Sequence, residues 1–180
     1  MPELITPDVR VHASFLAAME EFADEGRGNA GNHSMIGRDM RTQQAVWTSR
    51  EGFAAYVAAV VAEREEVTPR RDGLVPSTTL WWVDGDAYLG RIAIRHRMTP
   101  DLLEFGGHIG YDVRPTARRR GHATAMLRAA LPVAATLGID PALVTCDHDN
   151  VGSRTVIEVC GGVLEDQRGV KLRYWVPTTA

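Results

Sequence analysis

The run Tyr111-Asp112-Val113-Arg114-Pro115-Thr116-Ala117-Arg118-Arg119-Arg120-Gly121-His122-Ala123-Thr124 decides how this chain is read. It begins as the end of an extended segment, turns at Pro115, and opens a helix over about Arg120 to Leu137. The apolar positions Ala123, Leu127, Ala130, Leu131, Ala134 and Leu137 recur there at helical spacing until Gly138 ends the pattern. A strand, a turn and a helix start in succession build an anion site. The first amides of a helix have no partner within it, and the helix dipole adds partial positive charge, so a diphosphate can rest on them. Gly121 and Ala123 keep side-chain bulk out of the approach, Thr124 adds a hydroxyl, and Arg118, Arg119 and Arg120 add charge. Neither of the two familiar phosphate loops, Gly-x-x-x-x-Gly-Lys-Ser/Thr and Gly-x-Gly-x-x-Gly, is expected in this chain.

Downstream of the helix, Ala142–Asp147 reads as a short buried strand. Asn150 is placed to cap a helix over Val151–Cys160, which Gly161-Gly162 terminates. Val163–Glu165 and Val170–Val176 read as two further strands around a turn at Gly169. Upstream, Thr79–Asp84 and Ala87–His96 form a hairpin through Asp84-Gly85-Asp86, and Phe105–Val113 is a third strand after the Thr99-Pro100-Asp101 turn. Earlier still, Phe15, Leu16, Met19 and Phe22 mark a helix over His12–Glu25, and Gly26–Asn32 is a polar loop. Phe53, Tyr56, Val57, Val60 and Val61 mark a second helix from about Arg50, capped by Ser49. Pro132 lies inside the central helix and is expected to kink or break it. The order helix, helix, three-strand meander, helix, strand, helix, two strands describes an α+β fold. Its mixed sheet contains one parallel pair, formed by the right-handed crossover through the central helix.

Composition narrows the function classes. With 180 residues, 44% hydrophobic and 24% charged, the chain fits one domain, 1–180, with a core that needs no staples. No leader-like apolar core and no run of about 18 apolar residues is present, which leads us to expect a cytoplasmic protein with no membrane partner. Cys146 and Cys160 read as reduced core residues, and no Cys/His cluster has metal spacing, so no metal is expected. Residues 1–66 hold 11 acids and 6 arginines, whereas residues 113–139 hold Arg114, Arg118, Arg119, Arg120 and Arg128 and no acid. A local basic patch in a chain of net charge -3 points to a specific anionic ligand rather than to nucleic acid.

The turn, read as Arg118-x-x-Gly121-x-Ala123 with Val113 five residues before it and Pro115 between, resembles the GNAT superfamily of N-acetyltransferases. Their hallmark is Gln/Arg-x-x-Gly-x-Gly/Ala at the start of the central helix. Asp149-Asn150-x-x-Ser153 and Glu158-x-x-Gly161-Gly162 resemble the family's second cofactor segment. The likeness covers about residues 75–176, a cofactor-binding core, and leaves 1–75 as the variable acceptor side. It implies a mostly antiparallel sheet with a splayed central parallel pair flanked by helices, and acetyl-CoA as acyl donor. It also implies residue roles. Backbone groups of Tyr111, Asp112 and Val113 would bond the pantetheine arm. The amides from Arg118 through Arg119, Arg120, Gly121, His122 and Ala123 to Thr124 would hold the diphosphate. Asn150 and Ser153 would lie along the arm.

Many family members place a general-acid tyrosine seven residues after the asparagine, and here that position is Ile157. Thr145 occupies another frequent base position. The candidates left for proton transfer are His108 first, for its near-neutral titration, then Glu104 and Asp147, with Tyr111 as a candidate acid. The expected acceptor is a small-molecule amine. Protein N-terminal or lysine acetylation, and a catalytically silent acyl-CoA-binding module, stay open, as does a homodimer. The acids Glu20, Glu21, Asp24 and Glu25, with Glu63, Glu65 and Glu66, suggest a rim that would concentrate a cationic acceptor.

Overall fold

The computed structural model describes residues 1–179. The elements, in chain order, are β1 (Glu3–Ile5), α1 (His12–Asp24), α2 (Met35–Trp47), α3 (Arg50–Ala62), β2 (Ser77–Asp84), β3 (Ala87–Arg95) and β4 (Ile109–Val113). There follow α4 (His122–Thr136), β5 (Ala142–Asp147), α5 (Val151–Val159), β6 (Val163–Arg168) and β7 (Lys171–Val176). Seven strands form one sheet in the order β1-β2-β3-β4-β5-β7-β6. Every pairing is antiparallel except β4 with β5. The expected mixed, mostly antiparallel α+β sheet is therefore present.

Strand side chains alternate between the two faces. On one face Trp82, Ile92, Ile94, Ile109, Val113 and Val144 pack under Met126, Leu127, Ala130 and Leu131 of α4 and Ile157 of α5. On the other, Trp81, Val83 and Tyr88 meet Phe15, Phe22, Trp47, Phe53 and Tyr56 from α1–α3. Phe15 centres an aromatic cluster, with ring centroids 5.1 Å from Trp47 and Phe53 and 5.5 Å from Trp81.

Several boundaries differ from the sequence reading. Strand β1 and helix α2 were not anticipated. The third strand of the meander starts at Ile109, because Leu102–Gly106 closes a π-helical turn that Gly107 exits at φ 64°. Helix α4 starts at His122 and runs through Pro132 without a break. Pro132 is exposed, so the Arg128 carbonyl that loses its donor faces water. β6 extends to Arg168. The loop Gly26-Arg27-Gly28-Asn29-Ala30-Gly31 spells Gly-x-Gly-x-x-Gly, but it joins two helices and not a strand to a helix, so it lacks the context of a dinucleotide loop.

Candidate active site

The parallel pair β4 and β5 touches at one register position, Ile109 with Val144. Beyond it the strands part, and a cleft of about 770 Å³ opens between them. Gly110 to Val113 line one wall, Thr145, Cys146 and Asp147 the other, and the starts of α4 and α5 close one end.

At that end the backbone forms a cradle. Arg119 and Gly121 both adopt left-handed conformations, at φ 64° and 81°. Alternating handedness points successive amides into one concavity. The first intrahelical bond of α4 runs from the Ala125 amide to the Gly121 carbonyl at 3.0 Å. The amides of His122, Ala123 and Thr124 therefore have no partner within the helix. No side chain caps this end, and no acid lies in its first turn. A Cβ on Gly121 would meet nothing within 4 Å, so the space in front of the amides is open. The start of α5 lies beside the same cleft, where Asn150 accepts from the Ser153 amide at 3.0 Å as the expected cap.

The arginines of the turn divide their work. Arg118 donates to the Val113 carbonyl at 3.0 Å and pairs with Glu25 at 2.9 Å. Arg114 pairs with Glu21, which also accepts from the Thr116 amide at 3.1 Å. Burial alone would raise the Glu21 carboxyl, but the hydrogen bonds from Arg114 and Thr116 outweigh it and hold the group below its ordinary value. The acidic end of α1 is therefore bound to the turn that precedes α4. Glu66 pairs with Arg97 at 2.8 Å, and none of the seven acids of the expected rim lines the cleft. Away from the helix starts the cleft is lined by Arg27, His33, Met35, Arg95 and Phe105. The cationic-acceptor expectation loses its basis there: the acids that suggested it lie outside the cleft, Glu21, Glu25 and Glu66 of them in arginine pairs.

The proton-transfer candidates do not converge. His108 is not among the cleft residues. Its Nδ1 accepts from the Leu143 amide at 2.9 Å, and its own amide donates to the Leu143 carbonyl at 2.7 Å, so it ties the root of β4 to β5. Glu104 is paired with Arg168 and also lies outside the cleft. Asp147 lines the cleft and pairs with Lys171 at 2.6 Å. The Tyr111 hydroxyl is bonded to Ser153 Oγ at 2.7 Å, and burial raises its pKa above the ordinary tyrosine value, making it a weaker acid. Sequence reasoning missed His33, which lines the cleft just before α2 and makes no side-chain hydrogen bond or ion pair among the described residues. The Ser34 cap of α2 was the one local signal of that helix.

His108 carries a prediction of its own. Burial, then the Arg95 guanidinium, lowers its pKa from the ordinary 6.5, and burial lowers His96 likewise. Below 6.5 the unfolded chain binds more protons than the folded one, so stability should fall as pH drops through that value. His108→Asn keeps an acceptor for Leu143 without a titrating ring. Its melting temperature between about pH 5 and 7 should vary less steeply than that of the wild type, and an unchanged slope would dissociate His108 from the effect.

Among the described residues no helix is long and apolar enough to cross a membrane, and no three potential metal ligands come together. Residues 34–163 match the family model described as Acetyltransferase (GNAT) domain. No curated protein sequence matches the chain. Among solved structures, the microcin C7 self-immunity acetyltransferase MccE in complex with acetyl-CoA and AMP aligns at TM-score 0.63 and 11% identity, covering 98% of this chain and 92% of that one. RimL, a ribosomal L7/L12 alpha-N-protein acetyltransferase in complex with coenzyme A, aligns at 0.61 and 15%, over 97% and 92%. RimJ of Mycobacterium smegmatis, with CoA-disulfide, aligns at 0.61 and 16%, over 97% and 80%. At these identities the likeness is one of fold.

Proposed function

The chain belongs to the GNAT acetyltransferase family, and from that premise we propose that it transfers the acetyl group of acetyl-CoA to a primary amine of a small molecule by direct attack. The observation that carries the reading is the meeting, in one cleft, of an uncapped helix start with the place where two parallel strands part. Of the expected run Arg118 to Thr124, the amide of Arg118 is bonded to the Pro115 carbonyl at 3.2 Å, so the amides of Arg119 to Thr124 hold the diphosphate, and backbone groups of Tyr111 to Val113 hold the extended arm. Asn150 and Ser153 border it from α5. In this reading residues 75–176 form the cofactor core, and 1–75 the acceptor side, of one domain spanning 1–180.

Acetyl-CoA supplies an activated thioester. The chain's residues orient it and move the protons. The neutral acceptor amine attacks the thioester carbonyl, the C–N bond forms as the C–S bond breaks, and the electron pair leaves on sulfur. A β4 amide near Val113 stabilises the carbonyl oxygen as its charge develops. We assign the amine's proton to His33, directly or through a water molecule, because an imidazole can accept a proton near neutral pH and this one lines the cleft without a competing partner. Asp147 is the alternative, weakened by its pairing with Lys171.

Thiol detection across a panel of amines tests the function. CoA release with at least one small amine, with the acetylated amine identified by mass, is the expected result. Binding of acetyl-CoA without release for any amine or peptide would leave a silent binding module. Release with peptide N-termini alone would make it a protein acetyltransferase. His33→Ala should lower kcat by about 10²-fold with acetyl-CoA affinity unchanged. Unchanged turnover would move the role to Asp147.

A further inference from the structure

A second cleft, of about 640 Å³, lies on the same face of the sheet as the acceptor side, beneath α2, α3 and the segment 68–75. Five arginines line it, Arg38, Arg70, Arg71, Arg91 and Arg95, against two acids, Asp39 and Glu63. Arg91 is 5% exposed and donates from Nη1 to Asp39 at 2.7 Å, while its buried Nε has no partner. Arg38 and Arg71 make no side-chain hydrogen bond or ion pair among the described residues. Arg70 is spent on backbone carbonyls, the nearest that of Glu65 at 2.7 Å. Arg95 donates from Nη1 to the carbonyls of Gly106 and Gly107 at 3.0 Å each. Burial, then the charges of Arg38 and Arg91, pulls its pKa down to about 10, which still leaves it protonated at neutral pH. With Arg91 held by Asp39, the unpartnered guanidinium groups of Arg38 and Arg71 leave the cleft an excess of positive charge that an anion would neutralise.

The two clefts adjoin. Met35 and Arg95 line both. Ala93 in the second cleft is the register partner of Gly110 in the first, one strand spacing of about 4.8 Å away. Both residues are small, and a Cβ on Gly110 would come within 3.2 Å of the Met35 methyl, so Met35 lies over this saddle.

We propose that the second cleft anchors a carboxylate or phosphate carried by the acceptor, so that the substrate is a short amine with an anionic group at its far end. This rests on the N-acetyltransferase reading and assigns its acceptor class, opposite in charge to the one the acidic helices suggested. The amine lies over Gly110 where the strands part, and the anion lies against Arg91, Arg38 and Arg71, past Met35.

Matched pairs of acceptors test it: 3-aminopropanoic acid against its amide, and phosphoethanolamine against ethanolamine. The anionic member should be favoured in kcat/KM by about 10- to 100-fold, and the pair with the larger ratio identifies carboxylate or phosphate. In Arg38→Ala/Arg71→Ala, whose two side chains are exposed, the preference should shrink through KM, with kcat and acetyl-CoA affinity unchanged. A binding readout keeps the two ideas separable. Inorganic phosphate should raise the melting temperature of CoA-saturated wild type and not that of the double variant. Phosphate stabilisation without turnover on any amine or peptide would sink the transferase reading and keep the anion site. Turnover with equal or greater preference for the neutral amines, or no phosphate effect in the wild type, overturns the anion pocket.

Discussion

Gly121→Glu should abolish measurable acetyl-CoA binding, a loss of about 10³-fold or more in affinity, because two or three charge-assisted hydrogen bonds to the diphosphate would be lost together. Gly121 sits at φ 81° with open space beyond its Cα, directly before the free amides of His122, Ala123 and Thr124. A glutamate there fills that space and sets a negative charge against the ligand's. Gly121→Ala is the control. It carries the same left-handed penalty, roughly 1–2 kcal/mol, without the charge or the bulk, so it should keep most of the affinity. Calorimetric titration and the ligand-induced rise in melting temperature read both variants. Wild-type binding by the glutamate variant would mean that the diphosphate lies elsewhere.

The second large effect is on stability. Phe15→Ala should cost about 3–5 kcal/mol, read as a drop in the urea midpoint at constant m-value. Phe15 is 1% exposed, and its ring contacts those of Trp47, Phe53, Tyr56, Trp81 and Tyr88. It joins α1, α2 and α3 to β2 and β3 at one point, among rigid rings that can close the space it would leave only in part. A cost below about 1 kcal/mol would show that the cluster can collapse.

The parts of this protein legible in its sequence are those whose signals are local. The Val113–Thr124 turn, the caps at Ser49 and Asn150 and the Asp84-Gly85-Asp86 hairpin are short-range chemistry, and each occupies the place its residues indicated. Strand β1 has three residues and exists through its pairing with β2, some 80 positions away, which no local pattern encodes. Helix α2 buries only Ile36, Gly37, Met40 and Trp47, too sparse a stripe to read, and Gly37 serves there as a close contact with the Arg27 carbonyl. The expected strand Phe105–Val113 loses its first four residues, because Gly107 turns the chain after a π-helical turn. The acceptor side was misjudged for a related reason. Acids counted along α1 and α3 look free until the fold brings Arg114, Arg118 and Arg97 against Glu21, Glu25 and Glu66.

The single register contact between β4 and β5 has a mechanical meaning. It makes the sheet two leaves, β1–β4 and β5–β7, joined at a hinge of one residue pair. Beyond that pair the leaves are coupled at its root by the His108–Leu143 hydrogen bonds, and over one face by the packing of α4, which lies on β1, β3 and β4, against α5, which lies on β5. The starts of those same two helices border the cleft. A molecule held by both would act as a cross-brace, and filling the cleft should stiffen the join between the two leaves.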